Sequence, residues 1–152
     1  MDSVPFVRLL SMAVSCALED LHGELTAAGH PNLRPAHGYA LNAILSGCTT
    51  ASLIAPRLGM TKQGAAKLLQ TLLEEGYVTQ GEVDSTDARR KPFSLTPLGS
   101  EAIALSVSIQ QRIQTDWADI VGSSNMATTC QALETAVRAI SDGDLPAVRP
   151  AW

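Results

Sequence analysis

The chain has 152 residues, of which 45% are hydrophobic and only 4% aromatic, and its 11 basic and 15 acidic side chains give a formal net charge of -4. That length suits one domain, and an aliphatic interior favours a mainly α fold over a β-sandwich. The apolar runs fall short of a membrane span, the start MDSVPFVRLL lacks the features of a signal peptide, and Cys16, Cys48 and Cys130 form no CxxC pair. A cytoplasmic protein with reduced, mostly buried thiols is expected, with no disulfide framework and no metal site.

A first helix is expected from Pro5 to Ala28, where Val7, Leu10, Val14, Leu18, Leu21 and Leu25 recur at three- and four-residue spacing beside a second stripe of Phe6, Leu9, Ala13 and Cys16. So wide an apolar arc asks for more than one packing partner, and a subunit interface would supply it. Gly29, Pro31 and Asn32 end this helix. Pro35 suits the first position of a second one, which runs to about Ser46 with Tyr39, Ala43 and Ile44 toward the core. Thr49 or Thr50 caps a third helix with Leu53, Ile54 and Leu58 inward, and Gly59 supplies a turn. Thr61 then caps a fourth helix, in which Ala65, Leu68, Leu69, Leu72 and Leu73 form the buried stripe up to Gly76. Gln63, Lys67, Gln70, Thr71 and Glu74 project the other way, with Lys62 beside them at the helix start.

Tyr77 to Val83 and Phe93 to Thr96 read as short strands around a loop, Asp84 to Pro92, that is too polar to be core. Thr96 and Pro97 open a fifth helix that lines up Ala102, Leu105, Ile109, Ile113, Trp117 and Ile120, and Gly122 to Asn125 ends it. A sixth carries Met126, Cys130, Leu133, Val137 and Ile140 at the alternating spacing of a helix packed along another helix. The tail 143–152 has two prolines and no periodicity, and a flexible tail is expected.

The net charge hides a strong polarity. From Leu25 to Leu73, and again from Ala88 to Ser100, there is no acidic residue, and these two runs hold seven of the eleven basic side chains: Arg34, Arg57, Lys62, Lys67, Arg89, Arg90 and Lys91. Beyond Ser100 the acids dominate. One basic face on an otherwise acidic chain would steer toward phosphate.

The segment RLGMTKQGAAKLLQTLLEEGYV followed by DSTDARRKPFSLTPLG resembles the MarR-type (multiple antibiotic resistance regulator) transcriptional regulators: turn glycine, capped reading helix, Glu-Gly-Tyr exit, Asp-x-x-Asp-x-Arg wing and Leu-Thr-x-x-Gly helix start stand in family order. The stretch HPNLRPAHGYALNAI resembles the start of the second helix in one branch. The resemblance covers nearly the whole chain and implies a single domain, 1–152, mainly α with a small β-wing. Within it, a winged helix-turn-helix DNA-binding region at 35–99 would join N- and C-terminal dimerisation helices at 1–30 and 97–142. It further implies a homodimeric repressor on a pseudo-palindromic site in double-stranded DNA, released by a small-molecule effector. A winged-helix protein-interaction module without specific DNA binding is the alternative, motivated by the net acidity and by Pro56.

In this resemblance Lys62, Gln63 and Lys67 meet the major groove, Arg89 enters the minor groove, and Arg90 and Lys91 add charge to the wing. The chemistry agrees, since glutamine pairs with adenine, lysine reaches guanine or phosphate, and arginine suits a narrow minor groove. Thr61 caps the helix whose free N–H groups attract a phosphate, and Asp87 orients Arg89. Three positions depart from the pattern. Pro56 removes a hydrogen bond to Ser52 and is expected to kink or shorten the third helix, Gly64 would let the backbone approach DNA, and Ala88 stands where a basic residue is common. The resemblance also implies an effector pocket between the dimer helices and the winged region, for which His22, His37, Tyr39 and Trp117 are the candidate lining. No Ser/His/Asp order, carboxylate pair or phosphate loop suggests catalysis, so neither an enzyme nor a cofactor is expected.

Overall fold

The computed structural model describes residues 3–81, 91–146 and 148. Six helices and one hairpin follow in the order α1 (Phe6–Ala27), α2 (Pro35–Leu45), α3 (Ala51–Leu58), α4 (Lys62–Glu74), β1 (Val78–Gln80), β2 (Phe93–Leu95), α5 (Pro97–Val121) and α6 (Ser123–Ile140). The fold is therefore mainly α with a small wing hairpin. No helix among the described residues is long and apolar enough to cross a membrane.

Local chemistry sets the element ends. Threonine hydroxyls at Thr50, Thr61 and Thr96 each accept the N–H three residues on, from Leu53 (3.3 Å), Gly64 (3.0 Å) and Gly99 (3.1 Å), which satisfies a donor the helix itself leaves free. Gly59 closes α3 in the left-handed region at φ 64°, and the N–H of Met60 bonds the Ala55 carbonyl at 3.0 Å. The chain thus leaves α3 and enters α4 within three residues.

The core is aliphatic and centred on α2 to α4. Leu41, Ile54, Leu69, Leu72 and Val78 are its largest fully buried side chains, and Ala102, Ile109 and Ile113 of α5 complete it. β1 and β2 pair antiparallel, with Val78 opposite Leu95, Thr79 opposite Ser94 and Gln80 opposite Phe93. The Phe93 N–H also donates to the Thr49 carbonyl at 2.8 Å, tying the hairpin to the start of α3.

Several inward assignments change. Leu53 is half exposed at 51%, the buried positions of the short α3 being Ile54, Ala55 and Leu58. Pro56 lies inside α3 on its exposed side, and the eight-residue helix continues past it through Leu58. In α1 only Leu25 is buried, while Phe6, Val7, Leu9, Met12 and Val14 stand exposed. α5 buries Ala102, Ile109 and Ile113 but leaves Ile120 82% exposed, and α6 has no buried residue. These apolar stripes outrun the core that one chain offers. Cys16 and Cys130 are exposed and Cys48 half-buried, contrary to the mostly buried thiols expected. Of the tail, 143–146 and 148 are described: Gly143, at φ 96°, closes a turn by donating to the Arg138 carbonyl at 2.8 Å, and 147 and 149–152 lie outside the described residues.

Gly99 is the tightest joint. A Cβ there would lie 2.1 Å from the Tyr77 carbonyl oxygen, a backbone atom that cannot rotate away. Gly99→Ala should therefore destabilise the fold by about 1–3 kcal/mol or more through overpacking, read as a lower thermal midpoint. Ser100→Ala, at an exposed neighbour, should leave the midpoint unchanged, and an unchanged Gly99→Ala midpoint would contradict this packing.

Candidate nucleic-acid interface and cavity

α4 owes its position to its buried stripe. Ala65, Leu69 and Leu72 are buried and Leu68 and Leu73 half-buried, so the opposite face of the helix is turned to solvent. Lys62, Gln63, Ala66, Lys67, Gln70 and Glu74 are exposed there. Thr71 differs from its expected place: it is half-buried, and its hydroxyl donates to the Lys67 carbonyl at 3.2 Å.

The two ends of this face differ chemically. At the start, Thr61, Lys62, Gln63 and Lys67 present a capped helix terminus, two cations and an exposed amide within two turns. At the far end the Gln70 amide donates to the Glu74 carboxylate at 3.0 Å, and that acid would oppose a phosphate. A Cβ on Gly64 would come within 3.2 Å of the Thr61 hydroxyl oxygen, a tight contact at the cap. Arg57, exposed in the last turn of α3, donates to the Cys48 sulfur at 3.3 Å. Lys91 is described and exposed. Asp87, Ala88, Arg89 and Arg90 lie outside the described residues.

A second feature opens between α1, α2, α5 and α6. It is a cavity of about 370 Å³ with apolar walls from Leu18, Leu21, Ile113, Trp117 and Met126, and with His22, Arg34, Tyr39, Asn42, Gln110 and Gln114 as its main polar lining. Among the described residues no carboxylate lines it. Three of the four candidate pocket residues, His22, Tyr39 and Trp117, are thus on one wall system, whereas His37 is not. The reason is local: the His37 Nδ1 accepts the backbone N–H of Arg34 at 3.0 Å and so caps the start of α2. Asn42, Gln110 and Gln114 were not singled out from sequence, and Arg34 was named only as part of the basic run; no periodic signal marks polar residues at the border of an apolar face.

Two further polar contacts escaped the sequence reading. His30 is buried, and its Nδ1 lies 2.7 Å from the Tyr77 hydroxyl, linking the α1–α2 connection to the residue that precedes β1. Burial and the nearby Glu75 charge raise the Tyr77 pKa. Arg112 bridges α5 to α1 by pairing with Glu24 at 2.5 Å and Asp20 at 3.3 Å, and it also pairs with Asp116 on its own helix. The four-residue spacings Asp20–Glu24 and Arg112–Asp116 were the available signal. Among the described residues, no group of three or more His, Cys, Asp or Glu side chains is placed to hold a metal ion.

Comparison with known proteins gives fold likeness at low identity. No protein-family model and no curated protein matches the chain. Among solved structures, the reduced form of MarR from E. coli superposes with a TM-score of 0.72 at 18% identity, covering 90% of this chain and 99% of that one. A variant of S. aureus MepR bound to an oligodeoxyribonucleotide gives 0.62 at 18% identity, covering 91% and 99%. S. aureus MarR in complex with salicylate and kanamycin gives 0.68 at 20%, covering 91% and 89%. The chain therefore has the winged helix-turn-helix fold of these regulators over nearly its whole length.

The His37 cap has a pH consequence. Burial, opposed by Glu75 and reinforced by Arg34, holds the His37 pKa below 6.5, and burial with Arg34 does the same for His22. The unfolded chain takes up these protons at higher pH than the folded one, so this stability is complete above pH 6.5 and declines as pH falls through the lower folded values. His37→Gln keeps a cap acceptor at the third helical position without titrating. Its thermal midpoint should drop less than that of the native chain on acidification from about pH 7.5 to about pH 5.5; an equal drop would remove His37 as a source.

Proposed function

We propose that the chain is a MarR-type transcriptional regulator that binds double-stranded DNA as a homodimer. The observation that carries this reading is the N-terminal face of α4, where Lys62, Gln63 and Lys67 stand exposed around the Thr61 cap on a helix anchored by its buried opposite stripe. The likeness to a MepR variant bound to an oligodeoxyribonucleotide supports it. Two such helices related by a two-fold axis would enter successive major grooves, which calls for a pseudo-palindromic site. Asp87, Arg89, Arg90 and Lys91 would form the wing contact, with Arg89 in the minor groove. The net charge of -4 is compatible with this role, because phosphate contact depends on the local face.

Dimerisation is proposed through the helices at 1–30 and 97–142. Phe6, Val7, Ile120 and Ile140 are 64%, 74%, 82% and 84% exposed in the single chain, and these side chains lie on α1, α5 and α6 rather than scattered over the surface. Phe6→Glu together with Ile140→Glu should shift the protein toward monomer in analytical ultracentrifugation. A native chain that sediments as a monomer would refute this pairing.

The cavity fits an effector role. Its apolar walls and, among the described residues, a lining with one guanidinium, Arg34, and no carboxylate suit an apolar weak acid, and the salicylate complex of S. aureus MarR supports this assignment. Such a ligand would act by favouring an arrangement that cannot bind DNA, which completes the repressor reading.

Lys67→Ala should cost about 1–3 kcal/mol of DNA affinity if the lysine reads a base edge, or weaken all sequences alike with a shallower salt slope if it touches phosphate. The measurement is a salt titration on a site selected from random duplex DNA. Unchanged affinity in both Lys67→Ala and Arg89→Ala would overturn the DNA-binding reading, and salt-insensitive or absent binding would favour a protein-interaction module.

A further inference from the structure

Within the exposed face of α4, one residue breaks the run of long polar side chains. Ala66 stands exposed between Lys62 and Gln63, one turn before it, and Gln70, one turn after it, with Lys67 alongside. Its neighbour Ala65 is fully buried, so the two alanines point to opposite sides of the helix. A methyl is thus the only side-chain group at the centre of the presented face, and around it the helix backbone can come nearer to a surface than at any flanking position. The Gln70 amide is already engaged by Glu74 at 3.0 Å. The available reading groups are therefore in the first two turns: the Gln63 amide, the Lys62 and Lys67 ammoniums, and the Ala66 methyl.

We infer that Ala66 is a specificity-determining residue that packs against the C5-methyl of a thymine in each half-site, an inference that rests on the DNA-binding reading of α4. The major-groove edge of thymine is the only one among the four bases that presents a methyl, and alanine meets it by apolar contact. Gln63, three residues earlier on the same face, would then pair with an adenine close to that thymine, and Lys67 with an adjacent guanine or phosphate. The half-site is read by one amide, one methyl and one or two cations. A longer apolar side chain at this position would hold the backbone away and lengthen the contacts of Gln63 and Lys67.

The test uses the full chain and duplexes selected by it from random DNA. Each thymine of the selected half-site is replaced in turn by deoxyuridine, which removes the C5-methyl and leaves the base-pairing groups in place. One position per half-site should weaken binding about fourfold, the value of one buried methyl-sized group. Ala66→Ser, which keeps a small helix-compatible side chain, should bind the native site more weakly and show no further loss with deoxyuridine at that position. A consensus without thymine, deoxyuridine substitutions that all leave affinity unchanged, or base and protein changes that simply multiply would each overturn the role of Ala66 while leaving α4 as a DNA-reading helix. Enrichment of no sequence would overturn the DNA-binding reading itself, and this inference with it.

Discussion

The backbone of Tyr77 is the joint on which the winged region depends. Its N–H bonds the Leu72 carbonyl at 2.9 Å, closing α4, and its carbonyl accepts the Thr96 N–H at 3.1 Å, opening the path into α5. The same carbonyl sits where a side chain on Gly99 would have to be. The Thr96 hydroxyl donates to the Gly76 carbonyl at 2.6 Å while accepting from Gly99. Four elements, α4, β1, β2 and α5, therefore meet through backbone groups over a few residues. Backbone contact this close tolerates little side-chain variation, which is why glycine, threonine and a left-handed Gly76 recur at the junction.

From that joint the orientation of α4 follows. The helix is fixed at its C-terminal end by Tyr77 and at its N-terminal end by the Gly59 turn and the Thr61 cap. Between them the buried stripe of Ala65, Leu69 and Leu72 sets the rotation about the helix axis. With both ends and the rotation determined, the residues facing outward are determined too. Lys62, Gln63, Ala66 and Lys67 do not choose their direction; the core chooses it for them. The hairpin is held in turn by the bond from the Phe93 N–H to the Thr49 carbonyl, which ties the wing base to the start of α3.

The elements that sequence made legible are those whose ends are set by local chemistry. Threonine caps at Thr50, Thr61 and Thr96, glycines at Gly59 and Gly76 and the proline starts at Pro35 and Pro97 lie at or beside the observed boundaries, because each of these residues acts within one turn of chain. Periodicity was less complete as a guide. It identified the apolar stripes of α1, α5 and α6, but Val7, Ile120 and Ile140 are exposed in the single chain; periodicity reports which face is apolar, not whether that face is covered within one chain. Leu53 failed for a related reason, since an eight-residue helix has room for only a narrow buried arc. His37 was a candidate for the pocket lining that the resemblance implies, yet its position three residues after Arg34 makes it a cap. The His30–Tyr77 contact joins residues 47 apart in sequence and had no local signature.

The cavity and the uncovered apolar stripes occur on the same helices. α1, α5 and α6 bear both the exposed residues Phe6, Ile120 and Ile140 and the cavity residues Leu18, Leu21, Ile113, Trp117 and Met126, while α2 and the α1–α2 connection supply Arg34, Tyr39 and Asn42 from the winged side. Under the proposed function, pairing of two chains and binding of a ligand would therefore act on the same set of helix contacts. Leu25 and Leu33 line this cavity and bracket His30, whose own N–H bonds the Leu25 carbonyl at 2.8 Å and whose ring meets Tyr77. A ligand that displaced Leu25 or Leu33 would load the His30–Tyr77 hydrogen bond directly, and through Tyr77 the joint that orients α4. A short series of backbone and side-chain hydrogen bonds thus connects the apolar chamber to α4, and under the proposed function a ligand that favours one arrangement of that joint would change DNA affinity by no more than its differential affinity for the two arrangements.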